Sequence, residues 1–313
     1  MNGPRLLGID GGGTSTVAWL AEADGNVLGR GLAGPSNPKA IGVPAALAAL
    51  EYAIDRAFHA AGESVREVDV ACLGLAGFAR PDDQRLLRDW AGGRPLSRRL
   101  LLVTDGDLAL AAGTPEGWGV GVIAGTGSIA VGRDRDGRTA RAGGWGPLIG
   151  DEGSAYAVVL AAFRRVVRRA DGRDVRALEP DPLTSHLLAA LGVAEIQGLI
   201  PALHAPVMDR ARIAGLAPAV LAASEQDPTV VDDLLAPAGR ELAQAVAAVA
   251  RALGWTSGDL PLACAGGFLL AADAVRQGLL DELKRLGYVP SATAVAEPVR
   301  GAVILARHAL SGG

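Results

Sequence analysis

Asp10 is followed at once by Gly11, Gly12 and Gly13, and then by the hydroxyls of Thr14 and Ser15. Glycines accept positive φ and let a backbone approach a ligand closely, so this run makes a turn whose N–H groups can close over a phosphate, with the two hydroxyls as extra donors. A carboxylate just before such a turn suits magnesium, which keeps several waters and takes few protein oxygens, and Asp10 would hold it through water. A second turn, Gly125-Thr126-Gly127 followed by Ser128, repeats the pattern about 115 residues further on, a spacing too long for a solenoid and suited to two related domains. For one turn alone the plain reading is a tight bend with a capping acid; the repetition argues for phosphate.

Further residues carry chemistry near these turns. Asp151 and Glu152 lie where the helical stretch "EGSAYAVVLAAF" begins. Acids at a helix N-terminus are stabilising by ~0.3–1 kcal/mol without any ligand, but carboxylates are also the acceptors that a polyol's hydroxyls require. Trp145 stands between Gly144 and Gly146, whose freedom permits irregular backbone and an indole beside a ligand rather than in a core. Asn37, in "GPSNPKAIG", reads locally as an Asn-Pro turn.

Other phosphate machines are excluded. A Walker loop needs Gly-Lys-Ser/Thr, and the only lysines, Lys39 and Lys284, follow no glycine. A dinucleotide fingerprint needs a helix straight after its glycines, whereas residues 14–23 alternate like a strand. Cys72 and Cys264 lie far apart in apolar stretches, and His59, His186, His204 and His308 are scattered, so no disulfide framework or Cys/His metal site is expected.

The elements that must position these residues follow from periodicity. "RLLGID" is a buried strand, and the chain alternates on both sides of Asp24-Gly25, a hairpin. A helix is expected from Ile41 to Ala61 with Ala45, Leu47, Leu50, Ile54 and Phe58 inward. "VDVACLGLAG" is a strand, "PDDQRLLRDWA" a helix, and "LLLVTDGD" a strand ending in Asp105. A second strand, glycine turn and hairpin fill residues 119–144. The remainder reads as helical: Ser154–Ala170, Pro228–Gly254 with Val231, Leu234, Leu235, Ala238, Leu242, Val246, Val249 and Leu253 on one stripe, the helix "FLLAADAVRQGLLDELKRLGY" after the strand "LPLACAGG", and a last helix over Glu297–Ala309.

At 313 residues the chain exceeds what one core usually fills, so two domains with a ligand cleft between them are expected. The net charge of −4, spread without long blocks, gives no nucleic-acid or membrane-surface footprint. Nothing at the start resembles an export signal, no uncharged run is long enough to span a bilayer, and a cytoplasmic protein is expected.

Two glycine turns inside hairpins plus a strand ending in Gly-Gly, as "LGIDGGGTST", "VIAGTGSIA" and "LACAGGF", resemble the phosphate-1, phosphate-2 and adenosine motifs of the actin, hexokinase and heat-shock chaperone ATPase superfamily. "GGWGPLIGDEGSAY" resembles the sugar-site signature of its N-acetylglucosamine kinase branch, grouped with the BadF/BadG/BcrA/BcrD-type ATPases. The resemblance implies an α/β, two-domain actin-like (ribonuclease H-like) fold with an interdomain active-site cleft. The first domain would be 1–115, completed by a C-terminal helix at 296–313, and the second 116–295.

It implies ATP with Mg2+, and phosphorylation of the 6-hydroxyl of N-acetylglucosamine or a related amino sugar. Asp105 would be the general base, with Asp107 its rival. Sugar contacts would come from Asn37, Asp105, Ser128, Gly144, Trp145, Gly146, Asp151 and Glu152. Nucleotide contacts would come from Gly11, Gly12, Gly13, Thr14, Ser15, Thr126, Gly127, Ala223, Gly266, Gly267 and Ala271, and Asp10 would serve the metal. The family usually places a small residue such as alanine after the base; here Gly106 and then Asp107 follow. The partners expected are a small-molecule sugar and a second copy of the chain as a homodimer, with no nucleic acid and no membrane. Three other readings stand beside this one: a dehydratase-activating ATPase, which needs cysteines for an iron–sulfur cluster, a non-enzymatic actin-like or regulatory ATP-binding module, and a kinase of glucosamine, N-acetylmuramic acid or hexoses broadly.

Overall fold

The computed structural model describes residues 3–78, 80–173 and 181–312. It divides into two compact units, Met1–Gly121 together with Val295–Gly313, and Val122–Ala294.

In the first unit β1 (Arg5–Gly11), β2 (Thr16–Glu22), β3 (Val27–Ala33), β4 (Val68–Leu75) and β5 (Ser97–Val103) form one sheet in the order β3-β2-β1-β4-β5. The first three strands run antiparallel as a meander, and β4 and β5 join β1 in parallel. Helices α1 (Pro38–Ile41), α2 (Val43–Ala60), α3 (Pro81–Gly92) and α4 (Asp105–Gly113) connect them, and a C-terminal helix, Val299–Ser311, returns to this unit. The central strands are apolar throughout because both faces are covered. Successive side chains point oppositely: Leu7, Ile9 and Leu73 pack with Leu50, Ile54 and Phe58 of α2 and Leu87 and Trp90 of α3. Leu6, Val70 and Cys72 pack with Leu108 of α4 and Ala302, Val303 and Ala306 of the C-terminal helix.

Two expectations shift here. The helix expected from Ile41 begins at Val43, because Gly42 at φ +82° breaks it from the single turn of α1; its buried stripe is Ala46, Leu50, Ala53, Ile54, Ala57 and Phe58, and Ala45 is exposed. Strand β5 stops at Val103 rather than at Asp105, since Thr104 caps α4 and makes Asp105 its first residue.

The second unit is entered partway along β6 (Gly119–Ala124) and left at the end of β10 (Tyr288–Val295), and between them holds β7 (Ser128–Arg133), β8 (Thr139–Gly143), α5 (Ala155–Ala170), α6 (Pro182–Leu191), α7 (Leu199–Leu203), α8 (Arg210–Ala214), α9 (Ala217–Ser224), α10 (Pro228–Val230), α11 (Ala236–Ala252), β9 (Gly258–Ala265), α12 (Gly267–Ala271) and α13 (Asp273–Arg285). Its sheet order, β10-β9-β6-β7-β8, repeats the first unit's order strand for strand.

The long helix expected over residues 228–254 is interrupted by a π turn at Val231–Leu235. Pro237 has no N–H and its ring crowds the carbonyl four residues back, so the chain widens there. The helix expected after β9 is broken at Ala272, whose φ −99° and ψ 83° are not helical, and the carbonyls of Leu269 and Leu270 accept bonds from Arg276 Nη1 at 3.3 and 3.1 Å. Strand β10 has no counterpart in the periodicity reading. It is an edge strand, largely exposed and carrying Pro290, so it lacks the apolar alternation that marks a strand. The last helix begins at Val299, two residues later than expected.

Candidate active site

In the first unit the glycine turn is a closed loop: Gly12 N–H donates to the Ser15 carbonyl at 2.9 Å, while Gly13, Thr14 and Ser15 are exposed. The segments after β3 and β4 hold it. Ser36 N–H donates to the Gly12 carbonyl at 3.0 Å and Ala76 N–H to the Gly11 carbonyl at 2.8 Å. A side chain at Gly11 would run into the Ser36 hydroxyl, which is buried and, among the described residues, has no hydrogen-bond partner. Asn37 caps α1 by accepting the Lys39 N–H at 3.0 Å, so the plain turn role is realised; the same Oδ1 lies where a β-carbon on Gly77 would fall.

Asp10, the penultimate residue of β1, is burdened by its surroundings. Burial, and then the charge of Asp105, push its carboxyl up to about 7. Asp105 is raised too, by burial first and by the charge of Asp107, against which the Gly106 N–H at 3.0 Å acts to hold the charged form. The structure therefore gathers Asp10, the turn 11–15, Asn37 and Asp105 in one unit. Asp107 is engaged elsewhere: with Thr104 it forms a capping box.

In the second unit the turn Gly125–Gly127 is closed by Gly125 N–H to the Gly127 carbonyl at 2.9 Å and is tied to α5 by Ala155 N–H to the Gly125 carbonyl at 2.9 Å. Asp151 is buried beside it at φ +63°, and its Oδ1 accepts the Ser128 N–H at 3.2 Å. The expected placement of Asp151 and Glu152 at a helix N-terminus is corrected here: Ser154 caps α5 by accepting the Ala157 N–H, and the positive φ of Asp151 and Gly153 keeps both acids outside the helix. Glu152 turns its side chain to solvent while its carbonyl accepts the Ser128 hydroxyl at 2.6 Å. Gly144 N–H donates to the Ser128 carbonyl at 3.0 Å, which brings the Gly144–Gly146 stretch alongside; Trp145 is 66% exposed with the Arg141 guanidinium 5.2 Å from its ring.

Gly266, at φ +94°, ends β9 against β6, where a β-carbon would meet the Ala124 carbonyl at 2.3 Å. Gly267 and Ala271 are exposed at the two ends of α12, whereas Ala223 is wholly buried in α9. One residue absent from the sequence reading joins this group. Arg210, the first residue of α8, bonds Asp151 Oδ2, lies 6.0 Å from the Tyr156 ring, and fills the space a side chain on Gly127 would need.

Both cysteines are interior, and burial pushes the Cys72 thiol up to about 12 and that of Cys264 to about 11. Such thiols are poor ligands for a cluster. Among the described residues no single helix is long and apolar enough to cross a membrane.

Two sheets of one strand order, each with a glycine turn between its central strand and the next, define an α/β ATPase of the actin-like kind. The chain belongs to the BadF/BadG/BcrA/BcrD ATPase family, which it matches over residues 7–306. It is 32% identical to an N-acetylmuramic acid/N-acetylglucosamine kinase of Clostridium acetobutylicum over 84% of this chain and 85% of that one. It is 30% identical to an N-acetyl-D-glucosamine kinase of Dictyostelium discoideum over 96% of this chain and 97% of that one. The crystal structure of a candidate N-acetylglucosamine kinase of Chromobacterium violaceum superposes with a TM-score of 0.75 at 30% identity, covering 97% of this chain and 99% of the other.

Proposed function

We propose that this protein is an ATP-dependent kinase that phosphorylates the 6-hydroxyl of N-acetylglucosamine or a closely related amino sugar. The observation that carries the reading is the pair of half-buried acids, Asp10 and Asp105, in the unit that holds the first glycine turn, in a chain whose relatives bear amino-sugar kinase names. Phosphoryl transfer needs positioning and charge neutralisation more than covalent help from the protein. Asp105 serves as the base: a carboxylate whose proton affinity is raised accepts the sugar hydroxyl's proton as the new bond forms.

The first glycine turn, residues 11–15, of which Gly13, Thr14 and Ser15 are exposed, and the turn 125–127 take the phosphates of the nucleotide, and Gly266, Gly267 and Ala271 leave room for its base. Asp10 fits a hydrated magnesium ion, because a carboxyl disfavoured in its charged form by burial and a like neighbour gains most from a cation. That ion, when bound, supplies neutralisation of phosphate charge. Asp151, Trp145, Asn37 and the Gly144–Gly146 stretch receive the sugar. Asp151 presents two carboxylate acceptors, Oδ1 held by the Ser128 N–H and Oδ2 engaged by Arg210, and a carboxylate is the acceptor a sugar hydroxyl requires.

A coupled ADP-release assay over a panel of hexoses and amino sugars, with N-acetylmuramic acid included because a relative is named for it, tests the reading. Sugar-dependent turnover strongest on an N-acetylated amino sugar is the expected result. ATP turnover indifferent to every sugar overturns it.

A further inference from the structure

Arg210 occupies a position that none of the expected roles explains. Its Nη2 donates to Asp151 Oδ2, and the same nitrogen stands where a β-carbon on Gly127 would fall, so the guanidinium lies directly on the second glycine turn. The ion pair joins a buried carboxylate to a cation whose side chain is 38% exposed. The guanidinium is not fully used: its Nε–H is buried and, among the described residues, has no hydrogen-bond partner. A desolvated donor left idle on a charged fork is costly unless some state of the protein supplies an acceptor.

We infer that Arg210 is an exchange latch between the two substrates: without nucleotide it is bound to Asp151, and a terminal phosphoryl group arriving at the 125–127 turn draws it away, releasing Asp151 Oδ2 for a sugar hydroxyl. This rests on the kinase reading given above. The phosphoryl group concerned is the terminal one, since the acceptor held by Asp151 must lie next to the group it receives. A dianionic phosphoryl oxygen set outcompetes a single carboxylate for a planar fork that matches both geometries. Asp151 then turns from a partner of Arg210 into an acceptor for the sugar, and each substrate tightens the other by the same factor, as linkage requires. Ser128 N–H continues to hold Asp151 Oδ1 in place during the exchange, so only one carboxylate oxygen changes partner.

The test is calorimetric and needs no turnover. N-acetylglucosamine is titrated into the full chain alone, with a non-hydrolysable ATP analogue, and with ADP. In the wild type the analogue tightens sugar binding at least ~5-fold, within the usual range of coupling between sites, and ADP, lacking the terminal group, does so markedly less. In Arg210→Met the effect of the analogue falls to within about 2-fold of none, while sugar affinity without nucleotide is kept or improved because the competitor for Asp151 is gone. A purely structural arginine gives the opposite pattern, weaker sugar binding in every condition with the coupling intact, and that result overturns the inference. Equal coupling by ADP and by the analogue in the wild type overturns it as well, without reliance on any variant. A wild type that turns over sugar but shows no coupling removes the latch alone; a wild type that neither binds nor phosphorylates any sugar removes the kinase reading and the latch with it.

Discussion

Thr104 and Asp107 hold each other across the first turn of α4. The threonine hydroxyl accepts the Asp107 N–H at 3.2 Å, and the Asp107 carboxylate accepts the Thr104 N–H at 3.0 Å and its hydroxyl at 2.8 Å. Two acids two residues apart are thereby sorted: Asp107 closes the helix, and Asp105 bonds the adjacent Gly106 N–H at 3.0 Å.

The two acids should fail differently when neutralised. Asp105→Asn is expected to lower kcat by at least ~10²-fold with nucleotide affinity unchanged, the loss typical of a missing general base. Asp107→Ala should lower stability by about 1 kcal/mol through the lost capping box and retain most activity. Steady-state kinetics with thermal denaturation on both variants decides it; the reverse pattern moves the base to Asp107.

Asp10 makes stability fall as pH rises. Its carboxyl is raised from 3.8 to about 7, so between those values the native state keeps a proton that the unfolded chain has released. The stability slope is negative across that window, and the full penalty is present above it. At ~1.4 kcal/mol for each tenfold rise in proton affinity, the loss is roughly 2–4 kcal/mol by pH 8. Asp10→Asn should flatten the profile, matching the wild type near pH 4 and exceeding it at pH 8. Magnesium should raise the wild-type Tm more at pH 8 than at pH 5, because only the charged carboxylate attracts it. Urea titrations from pH 4 to 8 measure the slope, and a flat wild-type profile would refute the raised carboxyl.

Gly266 is the point where β9 meets β6 without a side chain. Gly266→Ala demands φ +94° of an alanine and drives its β-carbon to 2.3 Å from the Ala124 carbonyl, a backbone atom with little room to move. The strained φ and the overlap together predict a loss of roughly 2–5 kcal/mol in chemical denaturation. A loss under ~0.5 kcal/mol would mean that β6 and β9 are less closely apposed.

What could be read from the sequence was local. The turns at 11–13 and 125–127 and the hairpin at Asp24-Gly25 declare themselves because glycine is required within a few residues of where it acts. Leu6 and Leu7 reveal a strand buried on both faces, since neighbours in a strand point oppositely. The misreadings are contacts of long range. Asp151 looks like a helix-capping acid until Ser128 and Arg210, 23 and 59 residues away, are seen to claim its oxygens. Arg210 has no sequence signal beyond Asp209, which caps its helix. Ser36 is one small polar residue among many until Gly11 is seen to make room for it. Strand β10 owes its place to pairing with β9 rather than to its own pattern.

Trp145 offers a separation of binding from stability. An indole 66% exposed, between glycines at φ +70° and +89°, contributes little to the core, so Trp145→Ala should shift stability by no more than ~0.5 kcal/mol. If the exposed ring is the platform on which the sugar rests, its removal costs about 1.4 kcal/mol of binding, which appears as a rise of about 10-fold in the KM for the sugar. The KM for ATP should stay within ~2-fold, since the ring takes no part in holding phosphates. Loss of both KM values together, or a fall in Tm of many degrees, would instead make Trp145 a structural clamp on the loop that follows β8.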